Sequence, residues 1–87
     1  MERRTGTRKH ISVSAYVTWP GRRIRCRASD ISTTGVFVEM EGLPVLPGTA
    51  VQVVFVLTRG EVVKLHRVSA VVARVSREGA GMRLYAN

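Results

Sequence analysis

Apolar and polar residues alternate with a period of two along much of this 87-residue chain, and that period is typical of β-strands with one buried face. The first alternating run spans residues 11–19 and the second spans residues 23–28, with Pro20-Gly21 between them. Folding the two runs about this dipeptide places Val17 opposite Ile24, apolar against apolar, and therefore predicts a hairpin. Because proline fixes a negative φ that the primed two-residue turns do not accept, the type of turn stays open.

The remaining pattern predicts four further strands. They cover residues 36–40, 49–57, 62–75 and 81–85. A loop with two prolines, residues 41–48, interrupts regular pairing, and the fifth strand is long enough to need a bulge or a bend. Six strands with turns at short intervals and no amphipathic helix predict an all-β fold, either an antiparallel six-stranded barrel or a tightly curled sheet.

Length and charge limit the organisation and the partners of the chain. The 87 residues make one small domain, in which we assign residues 11–87 to the β-structure and residues 1–10 to a flexible basic arm. Fourteen Lys and Arg against six Asp and Glu give a formal net charge of +8. The preferred partner is therefore expected to be an anion, such as a nucleotide, a nucleic acid or an acidic membrane surface.

The sequence gives no sign of a signal peptide, a membrane span or a metal site. No stretch reaches the roughly 18 uncharged apolar residues of a span, which predicts a cytoplasmic protein. Cys26 is the only cysteine, so no internal disulfide is possible, and we expect it to be a small buried hydrophobe. His10 and His66 have no partners at ligand spacing, so neither a metal nor a cofactor is expected.

Two short motifs lie at the ends of the predicted hairpin. Arg4 and Arg8 form R-x-x-x-R in the arm, and Asp30, Ser32 and Gly35 form a D-x-S-x-x-G turn. The arginine fork can pair with guanine O6 and N7 or lie on the base, and a carboxylate can accept from the guanine N–H edge. The two motifs together therefore indicate a guanine clamp, in which the glycine either adopts a positive φ or admits a ligand close to the backbone.

Each motif also has a structural interpretation. The turn fits an Asx or Ser turn, in which Asp30 and Ser32 bond their own backbone, and the arm fits a solvated basic tail. The joint order of arm, hairpin, turn and β-rich remainder favours the clamp over these two alternatives.

This order of features resembles the PilZ domain family, the bacterial receptors for the second messenger cyclic di-GMP, over nearly the whole chain. Residues 69–75 and 81–84 resemble the closing strands of the family's barrel. Arg3, next to the R-x-x-x-R motif, is a further candidate for ligand binding. Many members end with an α-helix packed across the barrel, and no such C-terminal helix is expected here, since Asn87 follows the last predicted strand.

The resemblance implies a role for each motif residue. Arg4 and Arg8 grip the phosphates and the guanines, Asp30 and Ser32 hold guanine from the side of the barrel, and Gly35 permits close approach. The ligand is either one molecule or an intercalated pair. The implied function is a non-catalytic cyclic di-GMP receptor that passes a signal to a downstream protein partner.

The main alternative is a small basic barrel that binds single-stranded nucleic acid. Such barrels offer several aromatic stacking platforms, whereas this chain has one Trp, two Tyr and two Phe, with Phe37 and Phe55 assigned to core strands. This scarcity argues against nucleic acid. An enzyme is also disfavoured, because Ser32, His10 and Asp30 could supply a nucleophile, a base and an acid but Ser32 lies in no elbow motif.

A row of arginines marks the second strand. Arg23, Arg25 and Arg27 alternate with inward-facing residues, which predicts a basic outer face. A solvated strand face is the favoured interpretation of this row, and a dedicated partner surface is the alternative. Tyr16 is expected opposite Arg25 as a cation–π pair.

Overall fold

The structure is a computed structural model that describes residues 12–85. Within that range there are six strands and no helix: β1 (Val13–Trp19), β2 (Arg22–Ser29), β3 (Gly35–Glu39), β4 (Ala50–Arg59), β5 (Val62–Val75) and β6 (Gly79–Tyr85). They close into an antiparallel barrel in the order β1-β2-β3-β6-β5-β4. The predicted all-β six-stranded barrel is confirmed. The predicted arm, residues 1–10, lies outside the described residues.

The β1–β2 hairpin has the predicted register. Val17 faces Ile24, and the strands meet at the pair Trp19 and Arg22. The connecting residues are Pro20 and Gly21, and Gly21 has a φ of 80°. A proline at the first central position and a glycine with positive φ at the second are the requirements of a type II turn. The structure thus resolves the turn type that the sequence left open.

The β4–β5 hairpin is longer than the barrel needs. β1 pairs with β4 from Gln52 to Phe55, and β6 pairs with β5 from Ser69 to Val75. Among the described strands, residues 56–59 and 62–67 have no partner outside the β4–β5 pair, and we call them the projecting hairpin. The predicted irregularity of β5 is a register shift between Val72 and Arg74, and such a bulge bends the strand locally.

Alternate residues of the strands fill the interior of the barrel. The largest fully buried side chains are Val17, Val38, Val53 and Val72. Burying a valine stabilises a fold by roughly 1.5–3 kcal/mol, so this small core depends on contributions from nearly every strand. The loop before β4 also contributes, because two of its residues are buried. They are Leu43 and Val45, which lie in a segment that the sequence pattern assigned to a loop.

Two sequence-based expectations about aromatic residues are wrong. Phe37 does not face the core: it lies between the buried Val36 and Val38, so its half-buried ring is on the outer face of β3. The cation over the Tyr16 ring is Arg23, with the guanidinium carbon 5.3 Å from the ring centroid. Arg25 is the register partner of Tyr16, but the diagonal neighbour makes the contact.

Cys26 is buried, as expected of a small hydrophobe. Its thiol donates a weak hydrogen bond to the carbonyl oxygen of Ala15 across the β1–β2 pair, at 3.5 Å. Burial raises the pKa of the thiol to about 11, because the charged thiolate is poorly solvated there. The neutral thiol is a poor nucleophile at neutral pH.

Candidate functional site

The D-x-S-x-x-G turn lies beside the point where the described chain begins. Val13 pairs with Ala28, so Ser12 stands next to the residues that leave β2. Ser12 and Asp30 line the same surface cleft, which has a volume of about 580 Å³. Arg27 holds Ser12 in place, since its Nε donates to the Ser12 hydroxyl at 2.6 Å. The two ends of the β1–β2 unit are therefore brought together at one cleft.

Most of the charged residues of this cleft are acidic. The residues that line it are Ser12, Ser29, Asp30, Phe37, Glu39, Glu41, Arg77 and Glu78. Four carboxylates thus face one guanidinium. Carboxylates repel a phosphate-bearing ligand, so cations from outside this lining are needed before such a ligand can bind. The exposed part of the Phe37 ring offers an apolar surface on which a base can stack.

Three separate segments supply the acidic wall. Glu39 ends β3, Glu41 follows in the loop, and Glu78 lies in the β5–β6 turn. The backbone N–H of Met40 donates to the carbonyl of Glu78 at 3.0 Å and ties the loop to that turn. Pairing of β3 with β6 therefore builds the cleft. Sequence reasoning missed these residues, because no local motif joins segments so far apart in the chain.

Asp30 has an unusual backbone conformation. Its φ is 48°, and among residues 12–85 it is the only non-glycine residue with a positive φ. Aspartate tolerates this left-handed region better than most side chains do, at a cost in conformational energy. Strained residues concentrate at functional sites, and Asp30 presents an exposed carboxylate to the cleft. Of the two roles that the sequence left open for Gly35, the positive φ is not the one it has, and the positive φ of this turn is at Asp30.

The hydroxyl of Ser32 bonds the backbone of its own turn. It accepts hydrogen bonds from the N–H groups of Gly35 at 3.0 Å and Thr34 at 3.2 Å. It also donates a hydrogen bond to the carbonyl oxygen of Gly35 at 3.2 Å. These bonds use the donor and both acceptor positions of a hydroxyl. The Ser-turn interpretation thus describes the local geometry of Ser32. A direct bond from this hydroxyl to a ligand has to replace one of them, and that role stays a prediction.

Ser32 and Asp30 line different pockets. Ser32 lines a second, largely apolar pocket of about 390 Å³, together with Ile31 and Thr33. Asp30 lines the acidic cleft. The structure therefore gives Asp30 direct access to that cleft, while Ser32 shapes the turn that carries it.

Gly35 lies at a close approach of two strands. A Cβ at this position would lie 3.2 Å from the carbonyl oxygen of Met82 in β6. The same junction is closed by a 2.9 Å hydrogen bond from the N–H of Leu84 to the carbonyl of Thr34. Glycine thus allows β6 to approach the end of the turn, and its predicted contact with a ligand stays a prediction.

The remaining candidate residues cannot be placed. Arg3, Arg4 and Arg8 lie outside the described residues, as does His10. Within residues 12–85, no group of three His, Cys, Asp or Glu side chains could hold a metal ion. Over the same range, no helix has the length and apolar character required to cross a membrane.

The closed barrel and its strained acidic turn define a small all-β domain with one polar cleft beside the start of the barrel. The family model of the PilZ domain matches residues 2–86, nearly the whole chain. The chain belongs to the PilZ domain family, whose members are non-catalytic domains that bind cyclic di-GMP in second-messenger signalling. The resemblance inferred from the two motifs is confirmed. A search of curated proteins finds no match.

Proposed function

We propose that the protein is a non-catalytic receptor that binds cyclic di-GMP between its R-x-x-x-R arm and its D-x-S-x-x-G turn, and that it passes the signal to a partner protein. The observation that carries the proposal is that Ser12 and Asp30 line one cleft. Arg8 precedes Ser12 by four residues, and four extended residues span at most about 14 Å. The arm is thus tethered within reach of the carboxylate.

Charge gives the arm its role. Cyclic di-GMP carries two phosphates, and the described cleft offers one arginine against four carboxylates. Arg4 and Arg8 supply guanidinium groups that can grip phosphate with two parallel hydrogen bonds each, and Arg3 adds further positive charge. The barrel alone repels the ligand, and the arm converts the cleft into a site for an anion.

Asp30 gives the site its preference for guanine. Its exposed carboxylate accepts hydrogen bonds from the N–H groups of the guanine edge, a donor pattern that adenine lacks. The ring of Phe37 lies in the same cleft and supports the base by stacking. Ser32 keeps the turn closed, and Gly35 fixes it to β6. The strained φ of Asp30 is consistent with a carboxylate held ready for a ligand.

No single contact is strong enough to hold the ligand. A bidentate arginine–guanine pair contributes about 1–3 kcal/mol of discrimination, whereas micromolar affinity requires about 8 kcal/mol. Ordering each arm residue costs roughly 1–2 kcal/mol. Arm and turn therefore have to act together, with the arm folding over the ligand as it binds. That movement changes the surface that a partner protein meets, which is how the signal leaves the domain.

Titration calorimetry with cyclic di-GMP tests the proposal. Arg4→Ala, Arg8→Ala and Asp30→Ala are each expected to weaken binding about 10- to 100-fold, the equivalent of one charge-assisted hydrogen bond. Matched controls are Arg59→Ala at the end of β4 and Glu61→Ala in the β4–β5 turn, both exposed and outside the cleft lining, and both are expected to bind like the wild type.

Three results contradict the proposal. Asp30→Ala or Arg4→Ala binds as tightly as the wild type, GMP or oligothymidylate competes with cyclic di-GMP at equal concentration, or the nucleotide is recovered chemically changed. A nucleic-acid-binding barrel is recognised by tolerance of Asp30→Ala together with a steep loss of oligonucleotide affinity with salt.

A further inference from the structure

We propose that the outer edge of β5 in the projecting hairpin pairs with the same edge of a second copy of this chain, so that two hairpins form one four-stranded antiparallel sheet. We call residues 61–67 the pairing edge. None of them lines the acidic cleft. The inference therefore goes beyond the proposed function and stands whether or not a nucleotide binds there.

The pairing edge has a neighbouring strand on one side only. β4 pairs with β5 as far as Val62, whereas Tyr85, the last described residue of β6, pairs with Ser69. Within residues 12–85, no strand pairs with residues 62–67 from the side away from β4. Unpaired N–H and C=O groups along such an edge are a template for a further strand.

The β4–β5 turn determines which backbone groups point outward. Its two central residues are Gly60, with a φ of 61°, and Glu61, whose φ is not positive. A glycine with positive φ at the first central position is typical of a type II′ turn, which makes Val62 part of a hydrogen-bonded pair with β4. Hydrogen-bonded pairs alternate along an antiparallel ladder. The N–H and C=O groups of Val63 and Leu65 therefore point away from β4.

The pairing edge is apolar at the two residues whose backbone groups point outward. Val63 is 59% exposed and Leu65 is 65% exposed. Both side chains lie on the same side of the hairpin, because residues two apart along a strand share a face. Their partners in β4 are Thr58 and Val56. Exposed aliphatic side chains along an unpaired edge are typical of a surface that associates.

The order of residues along the edge favours one register for two copies. A symmetric antiparallel pairing that uses the outward groups sets Val63 opposite Val63, Val63 opposite Leu65, or Leu65 opposite Leu65 of the second copy. The first register leaves Glu61 opposite Leu65, and the third leaves Val63 opposite Arg67. The second register sets apolar against apolar and Glu61 against Arg67. It also forms four backbone hydrogen bonds, two for each pair of Val63 and Leu65.

Charge complementarity in this register identifies the occupant as a second copy. Two pairs of Glu61 and Arg67 flank four aliphatic side chains, and opposite charges directly across two strands stabilise their pairing. The two Lys64 side chains meet at the two-fold axis and oppose the pairing, but both are exposed and can extend into solvent. Any other strand would have to present acid, two apolar residues and base at these positions, which a second copy does by symmetry.

Sedimentation equilibrium of the full chain tests the inference. About 0.15 M salt screens the net charge of +8 on each copy, since the Debye length is then about 8 Å. So short an edge buries less surface than a standard stable interface, so we expect monomer at about 10 µM and mostly dimer at about 1 mM. Val63→Pro removes an outward N–H without removing a bond to β4, and it is expected to weaken association at least about tenfold.

Exchanging charges tests the register. In a pairing of identical copies, Glu61→Arg and Arg67→Glu each set like charges opposite one another, and each is expected to weaken association at least about fivefold. An equimolar mixture of these two variants restores both opposite-charge pairs, and we expect it to associate within about threefold of the wild type. Arg25→Glu is the matched control, because it makes the same charge change at an exposed position of β2. It is expected to stay within about twofold of the wild type.

Two further measurements keep the outcome specific to the edge. Lys64→Thr removes the like-charge pair at the two-fold axis and is expected to tighten association about threefold or more. Thermal unfolding checks that each variant is folded, and Val63→Lys takes the place of Val63→Pro if the proline variant is not. Calorimetry of the same variants with cyclic di-GMP is expected to match the wild type, which keeps a failure of this edge distinct from a failure of the cleft.

The inference is overturned if the wild type is still a monomer at about 1 mM, where even a weak interface associates. It is also overturned if Val63→Pro associates as tightly as the wild type, or if the mixture of Glu61→Arg and Arg67→Glu associates no more tightly than either variant alone. Association that Arg25→Glu weakens as much as Arg67→Glu overturns it in favour of a different surface.

Discussion

At the scale of single residues, the D-x-S-x-x-G turn divides three tasks among three positions. Asp30 presents a carboxylate to the cleft from a left-handed conformation. Ser32 satisfies the backbone groups inside the turn, and Gly35 allows the approach of β6. Two of the three motif residues thus have a structural task that is independent of any ligand, and Asp30 is the one of the three that lines the cleft.

Removing the Ser32 hydroxyl is expected to loosen the turn. Ser32→Ala leaves the N–H groups of Thr34 and Gly35 without their partner, so we expect a loss of about 1–2 kcal/mol in the free energy of unfolding. Thr33→Ala, an exposed change in the same turn, is expected to stay within about 0.5 kcal/mol of the wild type. Urea denaturation measures both, and equal stability of the two variants contradicts the structural role of the hydroxyl.

Gly79 is the glycine with the least space. A Cβ at this position would lie 1.9 Å from the carbonyl oxygen of Val38, and its φ is 154°. Gly79→Ala forces β3 and β6 apart and is expected to cost about 3 kcal/mol or more. Gly42 also has a positive φ, but there is open space around it. Gly42→Ala is therefore expected to lower the free energy of unfolding by only about 1 kcal/mol. Similar denaturation midpoints for the two variants would contradict the close packing of β6 against β3 at Gly79.

Cys26 makes the stability depend on pH in the alkaline range. The folded chain holds the pKa of the thiol at about 11, against 9.0 for an unperturbed thiol. The unfolded state therefore releases this proton first, and stability is full below pH 9 and falls as the pH rises towards 11. We expect this proton release to lower the free energy of unfolding by up to about 2–3 kcal/mol as the pH reaches about 11. Urea unfolding of the wild type and of Cys26→Ala, each at pH 9 and at pH 11, isolates the contribution of the thiol. If the stability of both proteins changes equally with pH, this role of Cys26 is contradicted.

At the scale of elements, the projecting hairpin differs from the rest of the barrel. Among the described strands its residues have no partner outside β4 and β5, and an isolated pair of strands is marginally stable in water. In the dilute monomer, we expect amides in residues 56–59 and 62–67 to exchange with solvent at least about tenfold faster than those of residues 69–72, which have strands on both sides. If hydrogen exchange finds equal protection for these amides and for those of residues 69–72, the projecting hairpin has support from another part of the chain and the prediction is contradicted.

Alternation predicts those elements whose two faces differ in polarity. It gave the β1–β2 register because arginine alternates with apolar residues in β2. It failed for β3, since Val36, Phe37 and Val38 are all apolar and only the pairing with β6 decides which of them point inward. The Tyr16–Arg23 contact was missed for another reason, because side-chain reach and not register brings the two together.

The sequence motif located the turn but not the cleft. Asp30 could be identified because its motif is contiguous in the chain. The acidic wall could not, because Glu39, Glu41 and Glu78 meet only after β3 pairs with β6. The charge of the cleft could not be predicted either: a strongly basic chain has a cleft lined mostly by carboxylates, and for this reason the proposed function depends on the arginines of the arm.

At the scale of the whole molecule, charge is segregated. Four of the five described acidic residues line the cleft, while β2 carries exposed arginines along its outer side. β2 also reaches the cleft, because Arg27 binds Ser12 beside it.

Hydrogen exchange with and without saturating cyclic di-GMP reports on the arm and on the turn in one experiment. We expect residues 3–10 and residues 29–35 both to gain protection when the nucleotide binds, while residues 56–67, the projecting hairpin and its turn, do not change. Equal protection of residues 3–10 in the two states, or protection of the arm without the turn, contradicts the claim that the nucleotide is held between them.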